Sequence, residues 1–318
     1  MQSESDKPHP VDARIILYRM AKQVAAIVAM VIALKLLILD IVPMHGSQMA
    51  PAIENSDHLL MLRLPYVPFM HLLGGRVRGD PVIFTLPFAK SLGCLRIAGV
   101  SGDSVGVEDG VFRNTKAFVK RIPSSDTIPR TEVMPAEFSP RDYCSPVRIP
   151  APGDTIGIDS LDSYALCFAA SVIRQENPRA KCKIIPRIVI DDTASTEYRI
   201  AEFAIYKGRL DSIPDSCGFD WFFWKRLNDY LQGSMRDHKV SLAFEFFMNG
   251  TKMTRYAVKN KFLFLLADNW NKGFDSRYFG PVIASSIIGR PYFILWSFST
   301  NEGTKGRLNL RRLGRFIR

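Results

Sequence analysis

Metal-binding spacing is missing from this chain. Its five histidines are scattered without an HExxH-like cluster, and its five cysteines (Cys94, Cys144, Cys167, Cys182, Cys217) show neither CxxC nor zinc spacing. No metal is therefore expected, and no motif implies a cofactor. An odd cysteine count leaves at least one thiol unpaired within the chain. One or two disulfides among the last four stay open for an exported domain, with no pairing assigned. A nucleic-acid-binding signature is also missing, which sets DNA and RNA aside as partners despite a net charge of +11. Acids are missing from residues 303–318, where Lys305, Arg307, Arg311, Arg312, Arg315 and Arg318 stand. A basic tail of this kind suits an anionic membrane surface.

What the chain does have is apolar content. At 318 residues and 47% hydrophobic, it can bury a sizeable core in one or two domains. From Val24 to Val42 it reads VAAIVAMVIALKLLILDIV, broken only by Lys35 and Asp40. About 20 helical residues cross the hydrocarbon core, so a single membrane-spanning helix is expected over residues 21–42. Lys35 would cost about 3 kcal/mol at the bilayer centre, but it lies in the outer half, where its stem can snorkel. No Ala-x-Ala-like site follows, and the run is too long for the apolar part of a cleaved signal peptide. Arg14, Arg19 and Lys22 precede it, which places residues 1–20 in the cytoplasm and the remainder outside.

Beyond that segment the texture is mostly β. Strands are expected at His58–Leu64, Pro81–Thr85 and Phe262–Ala267. A hairpin is expected around Asp109-Gly110, between Val105–Val107 and Val111–Phe112. The apolar, proline-rich stretch 64–73 suits a buried loop or one dipping into the bilayer interface. Residues 113–257 read as irregular, with two helices. One runs over Ser160–Arg174 with Ser160 as N-cap. The other spans Asp220–Gln232, with Phe223, Leu227, Tyr230 and Leu231 on one stripe and Gly233 as its stop.

Four segments carry sharper patterns. They are Gly46-Ser47-Gln48-Met49-Ala50-Pro51; Arg78-Gly79-Asp80 running into Pro81–Thr85; Cys94-Leu95-Arg96-Ile97-Ala98-Gly99 leading to Gly102-Asp103; and Asp268-Asn269, five residues, then Asp275-Ser276-Arg277 and Gly280. Together they resemble the boxes of the type I signal peptidase family (S26 serine peptidases). Ile287-Ile288-Gly289-Arg290 through Trp296-Ser297 resembles that family's closing strand, and Pro150–Ile156 a segment of its longer forms. Lys35, 13 positions before Gln48, stands where relatives often carry a basic residue.

The resemblance implies a signal-peptidase-like β-sheet core in two parts, residues 43–112 and 258–302. An inserted α+β second domain would occupy 113–257, with 303–318 a basic C-terminal tail. It also implies a Ser–Lys mechanism, in which a neutral, desolvated Lys takes the proton of the attacking Ser. Here the nucleophile position holds Gln48, the base position Leu95, and the position of the Ser that orients the base Gly273. An amide forms no acyl-enzyme. Met49, Pro51 and Ile97 would line the substrate groove, while Asp268, Asn269, Asp275, Ser276 and Arg277 would hold the frame.

Three functions follow as expectations. The first is a single-pass bacterial inner-membrane protein, catalytically silent, that binds signal-peptide-like segments of exported proteins by strand addition as a secretion or assembly factor. The second is an active signal peptidase using Ser47 in a shifted register, which needs a bulge and a new base such as Lys90 or Lys272. The third is a purely structural membrane protein whose groove is filled by its own side chains.

Overall fold

The structure is a computed structural model that describes residues 13–37, 39–63, 78–87, 89, 91–108, 111–114, 120–121, 144–159, 161–191, 193–195, 199–200, 208–209, 221–270, 273–299 and 306–317. The stretch 64–73 and the Asp109-Gly110 turn lie outside these residues.

In chain order the elements that matter are helix α1 (Ala13–Leu37) and strands β1 (Leu39–Pro43), β2 (Asp57–Arg63), β3 (Pro81–Thr85) and β4 (Leu92–Val100). Next come β5 (Ser104–Glu108), β6 (Val111–Asn114), β7 (Cys144–Arg148), β8 (Thr155–Gly157) and α2 (Ser163–Glu176). They are followed by β9 (Cys182–Ile190), α3 (Trp221–Ser234), β10 (Val240–Met248) and β11 (Arg255–Ala257). The chain closes with β12 (Phe262–Leu266), a single turn α4 (Ser276–Phe279), β13 (Val282–Ile283) and β14 (Ile287–Ser297). The expected hairpin exists, since β5 pairs antiparallel with β6.

The central feature is a seven-stranded sheet in the order β1-β2-β14-β3-β4-β12-β13. One face of the sheet carries a core of Val42, Leu59, Met61, Ile83, Leu95, Ile97, Leu265 and Ile294, all under a tenth exposed. A second core lies where α2 and α3 cover β10 and reach Phe262, Phe264 and Leu266 of β12. Strand β12 is buried at every position because it faces both cores. The antiparallel β8–β11 pair forms the neck through which the chain leaves for the second core and returns.

Several sequence expectations shift. Helix α1 ends at Leu37, and residues 39–42 of the expected span are strand β1, paired from Leu39–Leu62 to Pro43–His58. Asp40 forms an ion pair with Arg63 of β2, a sheet contact. Among the described residues no helix is long and apolar enough to cross a membrane. Even so, every described side chain of α1 from Ile16 to Ile32 is exposed, including Leu17, Met20, Val24, Ile27 and Val31.

Helix α2 starts two residues later than read, capped by Asp162, whose carboxylate accepts from the Ala165 amide at 2.7 Å. Helix α3 passes through Gly233 to Ser234. Its buried stripe is Phe223, Trp224, Leu227 and Leu231, while Tyr230 is exposed. Cys94, Cys167 and Cys182 are free thiols, which removes the disulfides that would have used the last two. The basic tail is not free along its described length. Residues 306–317 pair back onto β14, and Arg312 is buried against Asp57 and Glu54.

Candidate functional site

The four boxes converge at one end of the seven-stranded sheet. The Gln48 segment is the connection between β1 and β2. It is closed by the Met44 amide donating to Asp57 O (2.8 Å) and the Ser56 amide donating to Met44 O (3.0 Å). Inside it a turn forms, with Ile53 N bonded to Met49 O at 2.9 Å. Met49 and Ile53 are each 2% exposed and pin the turn into the core. Gly46 adopts φ +88°, which glycine takes without the Cβ penalty. The outcome is a graded presentation: Ser47 exposed, Gln48 half-buried, Met49 buried, Pro51 exposed.

Asn269 clamps this turn. Its backbone amide donates to Gln48 O at 2.9 Å, and its side-chain amide donates to Ser47 O at 3.0 Å. The neighbouring Asp268 accepts a two-pronged bond from Arg96 of β4 (2.9 and 2.6 Å). Arg96 also donates to Gly79 O at 2.6 Å. Thus the nucleophile-position turn, the base-position strand and the Asp-Asn box are tied to one another.

The Arg78-Gly79-Asp80 segment is part of the same frame. Gly79 and Asp80 bond to Ile97 through the backbone, Asp80 pairs with Arg290 of β14, and Arg78 forks onto Asp103. Burial alone would raise the Asp103 carboxyl. The Arg78 guanidinium, the Val100 amide and the Asn114 side chain outweigh it and hold the group down to about 2.

The remaining loop, 267–280, is the most heavily bonded part. The Asp275 carboxylate accepts from the Ala267 amide (2.9 Å) and the Arg277 amide (3.1 Å), and it takes both prongs of the Arg277 guanidinium (2.8 and 2.9 Å). Both side chains are fully buried, and Arg277 stacks 3.8 Å over the Trp270 ring. Asp275 and Arg277 are thus joined as a buried ion pair. Ser276 accepts from the Leu265 amide at 3.0 Å, at the bulge where β12 breaks register with β4.

The three positions at which the family resemblance places chemistry are occupied by Leu95, Gly273 and Gln48. Leu95 is 1% exposed within the sheet core beside Met49 and Ile97. Gly273 is tightly enclosed: a Cβ there would lie 2.1 Å from the Ala267 Cβ and 2.8 Å from Asn269 O. Gln48 borders a cavity of about 190 Å³ lined by Met44, His45, Met49, Ile53 and Cys94. Of the groove residues read from the sequence, Met49 lines this cavity, Ile97 is buried in the sheet core, and Pro51 sits on the surface.

Cys94 was not singled out by the sequence, and no spacing rule points to it. Its thiol is pushed up to about 12, first by burial and then by the nearby Asp268 carboxylate, so it stays protonated and is a poor nucleophile. Lys90 and Lys272, the bases a Ser47 mechanism would need, lie outside the described residues.

Residues 188–296 match the family described as signal peptidase, peptidase S26. That stretch holds the Asp268–Gly280 loop and most of β14, about a third of the chain, and it bears out the resemblance read from the motifs. Gln48 and Leu95 fall outside it. No curated protein matches the chain.

Proposed function

We propose that this is a membrane-anchored protein of signal-peptidase ancestry whose peptidase chemistry is silent and whose groove binds signal-peptide-like segments of exported proteins. The observation that carries this reading is the clamped Gln48 turn. The turn is held by Asn269 at its backbone, yet it presents a half-buried amide to a cavity instead of a hydroxyl. An amide donates and accepts hydrogen bonds to an extended peptide but cannot be acylated.

The anchor is α1. Its apolar residues from Ile16 to Ile32 are exposed, and Arg14 and Arg19 at its N-terminal end favour a cytoplasmic N-terminus. The sheet domain then faces the outside of a bacterial inner membrane, where exported segments emerge.

A photo-crosslinker in place of Gln48, in the full-length protein mixed with a preprotein, tests the binding reading. Adducts on the residues flanking the cleavage site are expected. Their absence, with the protein folded, would leave the purely structural reading, which the burial of Leu95 favours. Cleavage of the preprotein by the unmodified chain would instead establish an active peptidase.

A further inference from the structure

A strongly basic patch gathers where α2 ends and β9 begins. Residues 174–187 and 252–261 carry nine arginines and lysines against one acid, Glu176. That acid is engaged within the fold. Its carboxylate accepts from the Tyr256 hydroxyl (2.7 Å), the Lys259 amide (3.0 Å) and the Asn260 amide (2.6 Å). The same bonds bring the 255–261 segment onto the end of α2. Asn249 adds the turn after β10, donating from its backbone to Lys181 O at 2.8 Å and accepting from the Lys181 amide at 2.9 Å.

Few of these cations are neutralised. Lys252 pairs with Glu245 of β10 at 2.7 Å, and Arg187 takes the other oxygen of that carboxylate at 2.9 Å. Arg179, Lys181, Lys183, Arg255, Lys259 and Lys261 are exposed and have no ion-pair partner among the described residues. The surface they border is a sheet face. Ile184, Ile188 and Phe246 turn into the second core, so the alternate residues of β9 and β10 turn outward. Directly opposed residues share a face. Lys183, Phe247 and Lys252 stand in one such row, and Ile185 and Glu245 in the next row of the same face. Ile185 and Phe247 are half-buried between the charged side chains.

Uncompensated like charge works against the compact state, so the patch is complementary to an anionic partner. A second copy of the chain would set the same cations against one another. Single-stranded nucleic acid stacks on successive aromatic side chains, and one half-buried phenylalanine makes no such platform. A bilayer takes apolar side chains that reach below the headgroups, whereas Ile185 and Phe247 lie flush with the sheet. Carboxylates interspersed with apolar side chains fit both features of the face.

We propose that this patch is a docking surface for an acidic protein segment. The segment sets carboxylates against Lys183, Lys252 and the neighbouring cations and lays apolar side chains over Ile185 and Phe247. The surface shares no residue with the Gln48 cavity and stands whatever that cavity binds.

The full-length protein in phosphatidylcholine nanodiscs would be titrated with a short dye-labelled peptide alternating glutamate and leucine, read by fluorescence anisotropy. Saturable binding is expected, and the same peptide with glutamine in place of glutamate should not bind. Lys183→Gln and Lys252→Gln should each weaken binding about two- to fivefold, Lys183→Arg should preserve it, and raised salt should weaken it. Both lysines are exposed, so these variants should keep the parent's Tm. Phe247→Ser should weaken the leucine-containing peptide more than one alternating glutamate and serine. No saturable binding, or binding unchanged by the two glutamine variants, would overturn the proposal. An oligothymidylate bound as tightly as the peptide, with Phe247→Ser without effect on either, would overturn the choice of a protein segment. Capture of the discs by phosphatidylglycerol vesicles, lost in the Lys183→Gln, Lys252→Gln double variant while the peptide fails to bind, would assign the patch to lipid instead.

Discussion

The loop 267–280 and the turn 46–53 meet across Asn269, and they are built in opposite ways. In the loop, Asp268, Asn269, Asp275, Ser276 and Arg277 each bond to a neighbouring element or to the loop itself. In the turn, the backbone is held while Ser47 stays exposed and Gln48 half-buried. The difference separates two kinds of residue that family motifs run together. Those that hold the frame answer to packing and hydrogen bonding, so the fold requires them whether or not chemistry occurs. Those that perform the chemistry answer only to the reaction.

Breaking the loop should have the largest effect. Asp275→Ala leaves the buried Arg277 guanidinium uncompensated, and loss of one partner of a buried pair costs about 3–5 kcal/mol. Thermal unfolding of the full-length protein should show a large drop in Tm. A change within the error of the measurement would mean that the pair is not structural.

Gly273→Ser should come next, at about 1–3 kcal/mol or more, because its Cβ meets Ala267 at 2.1 Å. Ala267→Gly in the same chain should recover part of that loss. A chain carrying the family's Ser and Lys at the positions the resemblance assigns (Gln48→Ser, Leu95→Lys, Gly273→Ser) should therefore be more stable with Ala267→Gly added than without it.

Asn269→Ala removes the bond to Ser47 O but keeps the backbone bond to Gln48 O. A cost of about 1 kcal/mol is expected, together with faster amide exchange confined to residues 46–53. Exchange spread over the whole sheet would contradict the local clamp.

Asp103 supplies a pH test with a fixed sign. Its folded pKa, about 2, lies below the usual carboxylate value of 3.8, so its contribution is fully present above that value. The contribution is lost as pH falls through about 4 towards about 2. Asp103→Asn should flatten the acid limb of the stability curve in that window. The smallest effect belongs to Gln48→Ala, within about 0.5 kcal/mol of the parent protein, since the half-buried side chain caps nothing in the frame.

Much of the frame was legible in the sequence because it is strongly periodic or uses polar boxes with fixed spacing. Strands β2, β3 and β12 fall where short apolar runs put them, β14 falls where the resemblance to the family's closing strand put it, and the Asp275-Ser276-Arg277 box stood out by its spacing. The membrane run was over-read. Leu39–Val42 is as apolar as the helix before it, and only pairing with β2 reveals a strand. The long strands β9 and β10 were missed, since Pro186 in the middle of β9 argues against a central strand. The start of α2 was misplaced because Ser160 was read as its cap, whereas Asp162 is the residue whose carboxylate reaches the Ala165 amide. Burial of Arg312 could not be read from a run of arginines whose other members are exposed.

The central claim is that the frame persists without the chemistry, and preprotein cleavage by the purified full-length protein in detergent tests it most directly. The account predicts an intact preprotein after prolonged incubation, with the protein still folded. A product cut after an Ala-x-Ala sequence, and lost in Ser47→Ala, would contradict it.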